Sequence, residues 1–307
     1  MSEGEEIEEA VNTSCCASCG IAAVDEVKLT ECDGCDLVRY CSDECQENHR
    51  SEHEEACKKR ATELHDELLF KQPESSYLGD CPICSLPMPL DPAKSVMFAC
   101  CSKKICHGCA HAIDKREVEM RLQRTCPFCR EPTSYSSARE RDRQNMKRIE
   151  ANDPEAMRME GWQQHQKGKY RKAFKFYTKA AELGDFEAHC GLASLYQEGK
   201  GVQKDMEKYI HHLEKAAIAG YPLARHNLGV NEYDNGTLER AVKHWIIAAT
   251  QGLDESIKKL MVMFKGGDLS KDDLAASLRA HKASVDATKS PQREEAAVFY
   301  KIMHSIS

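Results

Sequence analysis

The 307-residue sequence predicts a mainly α-helical chain in which two small cysteine-rich modules precede an α-helical repeat solenoid. Three observations carry that expectation. Sixteen of the 17 cysteines lie between Cys15 and Cys129, mostly in C-x2-C or C-x3-C pairs. Beyond about Asn152 the chain repeats itself: "KAAELG" closes at Gly184, "KAAIAG" at Gly220 and "IAATQG" at Gly252. A period of 32 to 36 residues is the mark of stacked helix pairs. Between the two cysteine groups, "KKRATELHDELLF" places apolar residues at helical spacing and stops before Pro73.

The overall balance excludes several classes of function. The net charge is −7, so a broad electrostatic grip on nucleic acid is not expected as the main activity. Neither cysteine group carries a basic helix. The start, "MSEGEEIEEA", has no basic region followed by an apolar one, so it does not read as a signal peptide, and residues 1–14 read as an acidic disordered tail. No run approaches eighteen apolar residues, so no membrane partner is expected. The expected location is the cytoplasm or nucleus. There is no H-e-x-x-H, G-x-S-x-G or phosphate-binding P-loop pattern, and no catalytic residue is assigned.

In a reducing compartment, repeated C-x2-C pairs point to zinc rather than to disulfides. The first group runs Cys16 and Cys19, Cys32 and Cys35, Cys41 and Cys45, then His53 and Cys57. Eight ligands make two tetrahedral sites. His53 and Cys57 are four apart, so one face of a helix presents both. The stretch "LVRYCSDECQENHRSEHEEAC" resembles a MYND zinc finger, with the same eight ligands and the same "YCS..CQ" core. That resemblance implies interleaved sites: Cys16, Cys19, Cys41 and Cys45 on one zinc, Cys32, Cys35, His53 and Cys57 on the other. Cys15 reads as a bystander, and His49 as an alternative to His53. The resemblance also implies a groove for proline-containing peptides, with Gln46 at its contact position. Arg50 stands where that family places a tryptophan, which removes a flat apolar wall. A zinc-stapled structural module is the competing reading.

The second group contains "CPIC", a proline-rich loop, "ACCSKKICHGC", a helix-like "HAIDKREVEMRLQRT" and "CPFCR". It resembles a RING finger over about fifty residues. Cys81, Cys84, Cys106, Cys109, Cys126 and Cys129 fill six ligand places. The usual C-x-H would put its histidine at Lys103, which cannot bind zinc. Cys100 and Cys101 are the favoured third and fourth ligands, with His107 or His111 as the alternative. The resemblance implies a cross-brace, with Cys81, Cys84, Cys106 and Cys109 on one zinc and Cys100, Cys101, Cys126 and Cys129 on the other. Counting both modules, four zinc ions per chain are expected, in closed sites that are structural. The resemblance further implies that Ile83 and Pro127 dock a ubiquitin-conjugating enzyme, and that Arg130 bonds both ubiquitin and that enzyme through its fork of donors.

In the repeats, Ala156, Ala188 and Ala224 open successive copies, with Ser256 opening a degenerate fourth. The copy "AHCGLASLYQEGKGVQKDMEKYIHHLEKAAIAG" resembles a Sel1-like repeat, in which Leu192, Tyr196, Gly199, Gly201, Val202 and Asp205 occupy family positions. Paired alanines let helices approach closely, and a glycine after each pair ends the helix in the left-handed conformation. Phe174, Tyr177, Tyr196 and Trp245 read as core, and Cys190 as a small buried residue.

The expected organisation is a tail over 1–14, a MYND-type finger over 15–58, a helix and linker over 59–78, and a RING-type finger over 79–133. A charged, solvated connector follows over 134–151, then Sel1-like repeats over 152–289 and a capping helix over 290–307. The function expected of this combination is that of a RING-type ubiquitin ligase or ligase component, with a substrate or adaptor held on the repeats. The competing class is a scaffold without ligase activity.

Overall fold

The computed structural model describes residues 15–23, 28–132 and 138–306; the acidic segment over 1–14 and the start of the connector lie outside the described residues. The chain divides into two compact units, Met1–Lys71 and Gln72–Ser307.

In the first unit a two-stranded antiparallel ladder, β1 (Thr30–Glu31) and β2 (Arg39–Tyr40), leads into α1 (Asp43–Leu69). Ser42 starts α1 by accepting the Cys45 amide at 3.3 Å, the hydroxyl cap preferred at helix N-termini. No glycine or proline occurs between Asp43 and Leu69. The helix that carries His53 and Cys57 therefore runs on without a break, where a separate finger and following helix were expected.

The second unit begins with the remaining cysteine module. Strand β3 (Ser95–Met97) pairs antiparallel with β4 (Lys104–Cys106), Val96 facing Ile105, and α2 (His107–Glu119) follows directly. Met88, Ile105 and Ala110 form its small core together with Cys81, Cys106 and Cys109. After α3 (Ala138–Glu150) come four helix pairs. They are α4 (Pro154–Gln166) with α5 (Tyr170–Glu182), α6 (Phe186–Glu198) with α7 (Met206–Ile218), α8 (Pro222–Asp234) with α9 (Leu238–Thr250), and α10 (Asp254–Gly266) with α11 (Lys271–Ala287). Asp153 and Asp185 cap α4 and α6 through the Ala156 and Ala188 amides at 3.0 and 2.9 Å. Ala156, Ala188, Ala224 and Ser256, one near the start of the first helix of each pair, are all buried. The turn after α7 needs glycine: Gly220 has φ +91°, matched by Gly184 and Gly252 after α5 and α9. Tyr177 and Trp245 are core residues, as their spacing predicts.

Three parts of this unit depart from expectation, all through long-range contacts. Residues 72–78 are not a loose linker. The Tyr77 ring packs edge-on against Tyr221 at 4.8 Å, and Gln72 Nε2 donates to Thr250 Oγ1 at 2.8 Å. The charged helix α3 is not solvated all round: Arg148 is buried, pairs with Asp153 and donates to the Ala99 carbonyl at 3.5 Å. The C-terminal helix α12 (Pro291–Ile306) does not cap the solenoid but packs on α2. Its Tyr300 and Phe299 rings lie 4.3 and 4.5 Å from those of His107 and His111. Among the described residues no helix is long and apolar enough to cross a membrane.

Candidate metal centres

Each C-x2-C pair at Cys16, Cys81 and Cys126 sits in the same short turn. The amide of the first cysteine donates to a carbonyl five residues on: Cys16 to Ile21 at 2.8 Å, Cys81 to Leu86 at 2.9 Å and Cys126 to Glu131 at 2.8 Å. The residue after the second cysteine then turns back to the first, and takes a positive φ to do so. That residue is Gly20 in one turn, but Ser85 (φ 53°) and Arg130 (φ 63°) in the others. Left-handed backbone costs a residue with a Cβ about 1–2 kcal/mol, so something must hold these turns closed.

Four quartets of ligand atoms result, in each of which all atoms lie within 4.8 Å of one another. Cys16, Cys19, Cys41 and Cys45 form the first, and Cys32, Cys35, His53 and Cys57 the second. Cys81, Cys84, Cys106 and Cys109 form the third, and Cys100, Cys101, Cys126 and Cys129 the fourth. In both modules the first and third pairs along the chain share one quartet and the second and fourth share the other.

Edge lengths test whether zinc fits. A tetrahedron with zinc–sulfur arms of about 2.3 Å has edges of roughly 3.8 Å. The observed Sγ–Sγ separations are 3.6 Å for Cys19–Cys41 and 3.7 Å for Cys32–Cys57. They are 3.8 Å for Cys81–Cys109 and for Cys84–Cys106, and 3.6 Å for Cys101–Cys126. The donor sets and their spacing match zinc.

Proton affinities are split within each quartet. Burial opposes ionisation of Cys16, but amides of Cys19, Cys41 and Ser18 outweigh it and bring the thiol down to about 6. Cys81 is likewise held at about 7 against burial by the amides of Cys106, Cys84 and Ile83. Their neighbours move the other way. Cys41 is pushed up to about 12, foremost by Cys19 and Cys45, and Cys109 is pushed up by burial and by Cys106. One thiolate per quartet is supported by backbone donors; four together need a cation among them.

The remaining residues singled out in the sequence fall outside the quartets. His49 Nδ1 bonds the Tyr40 hydroxyl at 3.0 Å and its ring stacks on His53. His107 and His111 face α12. Cys15 lies in an isolated bridge with Ala22. Lys103 sits over the Phe128 ring at 4.9 Å, while Lys104 pairs with Glu155 of α4 at 2.6 Å. Lys103, at the place of the ordinary C-x-H histidine, thus stays within the module, while Ser102 and Lys104 on either side of it reach Asp153 and Glu155. Gln46 and Arg50 line a groove of about 740 Å³ that also contains Tyr40, Asp33, Asp43 and Glu47. Ile83 and Arg130 are exposed on their turns, and Pro127 is half-buried. The roles of Lys104, Arg148 and Tyr77 in joining the module to the repeats had no signal in the sequence, since Glu155, Ala99 and Tyr221 are distant from them in the chain.

Residues 16–57 match the family model of the MYND finger, and residues 157–185, 186–221 and 222–253 match that of the Sel1 repeat. A curated relative, ORF96 of Ostreid herpesvirus 1 (isolate France), bears the name of a RING finger protein. It is 40% identical over 53 residues, which are 17% of this chain and 22% of that protein. Among solved structures, a Sel1 repeat protein from Oxalobacter formigenes is 26% identical with a TM-score of 0.42, covering 48% of this chain and 65% of that one. The c5321 protective antigen of uropathogenic Escherichia coli, described as having an SLR fold, is 25% identical with a TM-score of 0.39, covering 48% and 33%. The matched region thus spans less than two thirds of each of these proteins. The chain combines a MYND finger, a second cross-braced cysteine module and three Sel1 repeats, the make-up of a zinc-binding protein-interaction scaffold.

Proposed function

We propose that the chain binds four zinc ions and acts as a RING-type ubiquitin ligase or a component of one. In this reading the second module docks a ubiquitin-conjugating enzyme and the repeats hold the substrate or an adaptor. The observation that carries it is the pair of turns at Cys81 and Cys126. They present an apolar Ile83, 44% exposed, a Pro127 and an exposed Arg130, none of which is a ligand. A docked partner would cover the part of Ile83 that the turn leaves open. Zinc, when bound, closes the turns and leaves no coordination position for a reacting water.

The chain itself would supply position rather than chemistry. Ile83 and Pro127 would hold the enzyme, and the Arg130 guanidinium would hold the ubiquitin thioester in the geometry open to attack by a substrate lysine. Attachment of the module to the repeats through Lys104, Arg148 and Tyr77 supports the reading, because both bound partners would then sit on one body.

The test is discharge of ubiquitin from a panel of charged conjugating enzymes by the full-length chain, compared with Ile83→Ala and Arg130→Ala. Discharge by the wild type, with weaker enzyme binding in the first variant and slower transfer at near-normal binding in the second, is the expected result. No discharge across the panel, or wild-type rates in both variants, leaves the scaffold without ligase activity. For the first module, the groove at Gln46 favours a zinc-stapled structural role, since Arg50 stands where an aromatic wall would be and Asp33, Asp43, Glu47 and Glu54 also line it.

A further inference from the structure

Helix α12 approaches α2 at Gly108. A Cβ there would lie 2.8 Å from Arg293 Cγ and 3.0 Å from its backbone nitrogen, so only glycine admits the helix at this distance. The approach brings the Arg293 guanidinium onto the turn that holds Cys81 and Cys84. Nη1 donates to the Pro87 carbonyl at 2.7 Å, and also to the Thr288 carbonyl at 2.7 Å. Nη2 donates to the Leu86 carbonyl at 3.2 Å and to Cys84 Sγ at 3.4 Å. Ser290 fixes the start of the helix by accepting the Arg293 amide at 3.2 Å.

Four thiolates around one zinc leave a net double negative charge, and Cys81, Cys106 and Cys109 are buried from water. A guanidinium bonded to the fourth sulfur offsets part of that charge. Its bonds to the Leu86 and Pro87 carbonyls close the turn in which Ser85 is held at positive φ. Groups that bond to metal ligands orient them and tune the site, and losing one commonly costs ten- to a hundredfold in metal affinity.

We propose that Arg293, 209 residues beyond Cys84, is the outer brace of the Cys81/Cys84/Cys106/Cys109 site, so that metal retention there depends on the C-terminal helix. The proposal rests on the zinc reading above. It makes Arg293 a positioning residue for the metal.

The experiment is pulsed alkylation of the zinc-loaded full-length chain in the presence of a chelator, with each cysteine followed by mass spectrometry. Metal content is measured alongside. Arg293→Ala is expected to speed modification of Cys81, Cys84, Cys106 and Cys109 about ten- to a hundredfold. Cys16, Cys19, Cys41 and Cys45 should keep their wild-type rates. Arg293→Lys, which keeps the charge but loses the fork, should fall between. Gly108→Ala, which displaces α12 while leaving the guanidinium intact, should reproduce the acceleration.

Cobalt(II) substitution adds a spectroscopic check. Removing the Cys84 hydrogen bond in Arg293→Ala should move the thiolate-to-metal charge-transfer band to longer wavelength. Four metals per chain with wild-type alkylation rates and an unmoved band in Arg293→Ala would overturn the proposal while leaving the zinc reading intact. A wild-type chain that retains no metal at this quartet would overturn both.

Discussion

Tyr177 lies between two glycines, and Gly191→Ala tests whether that contact holds the repeats in register. A Cβ at position 191 would meet three atoms of the Tyr177 ring at 2.7–2.8 Å, and one at Gly161 would meet the ring at 2.8 Å. The ring is buried and cannot retreat from α6 without striking α4. Helix propensity alone predicts a gain of about 0.8–1 kcal/mol for alanine over glycine. Overpacking a filled core costs about 1–3 kcal/mol, so Gly191→Ala should lower stability by up to about 2 kcal/mol in spite of the better helix former. In a Tyr177→Leu background the clash is gone, and the same substitution should stabilise by about 0.5–1 kcal/mol. The assay is urea unfolding followed by far-ultraviolet circular dichroism across the double-mutant cycle. A higher midpoint for Gly191→Ala in the wild-type background, or the same shift in both backgrounds, would refute the reasoning.

Further expectations concern the metal sites and pH. Metal analysis should find four zinc ions per chain. Cys100→Ser should remove the ion of the fourth quartet, while His107→Ala should keep all four; the reverse pattern would reassign the ligands. Ser85→Gly should stabilise its turn by about 1 kcal/mol by relieving left-handed backbone, read as a higher thermal midpoint of the metal-loaded chain. His212 is held down at about 4, foremost by burial and then by His189, His211, Lys215 and Lys208. Below its ordinary value of 6.5 the unfolded chain takes up the proton and the folded chain does not. Stability of the repeats should therefore fall as pH drops from about 6.5 to about 4, and His212→Gln should flatten that slope; an unchanged slope would assign the effect to other groups.

The mainly helical fold, with cysteine modules ahead of a solenoid, was readable because both devices are written in short-range spacing. A C-x2-C pair closes its own turn, and an alanine every 32 to 36 residues marks a contact repeated along one axis. Residues 72–78, Arg148 and α12 were misread for the opposite reason. Tyr77 finds Tyr221, and α2 finds α12, across more than a hundred residues of chain. Arg148 reaches the Ala99 carbonyl 49 residues back, and no periodicity announces a single tyrosine or arginine with a non-local partner. The unbroken α1 was missed because the ligands at His53 and Cys57 drew a boundary that helix propensity ignores.

Solenoids fray from exposed ends unless something covers the outermost pair. Here the cover at α4 is α3 together with the cysteine module, through Lys104 on Glu155, Ser102 on Asp153 and Arg148 of α3 on the Ala99 carbonyl. Loss of metal from that module would therefore be felt first at α4 and α5. A chain made under zinc starvation would carry a repeat array with its first edge open to proteases. Limited proteolysis should then cut α4 and α5 soon after chelation while the Trp245 region stays whole, and simultaneous loss of both would show that the array melts as one block. On that footing, metal held by the second module would set how long the first helix pair resists digestion.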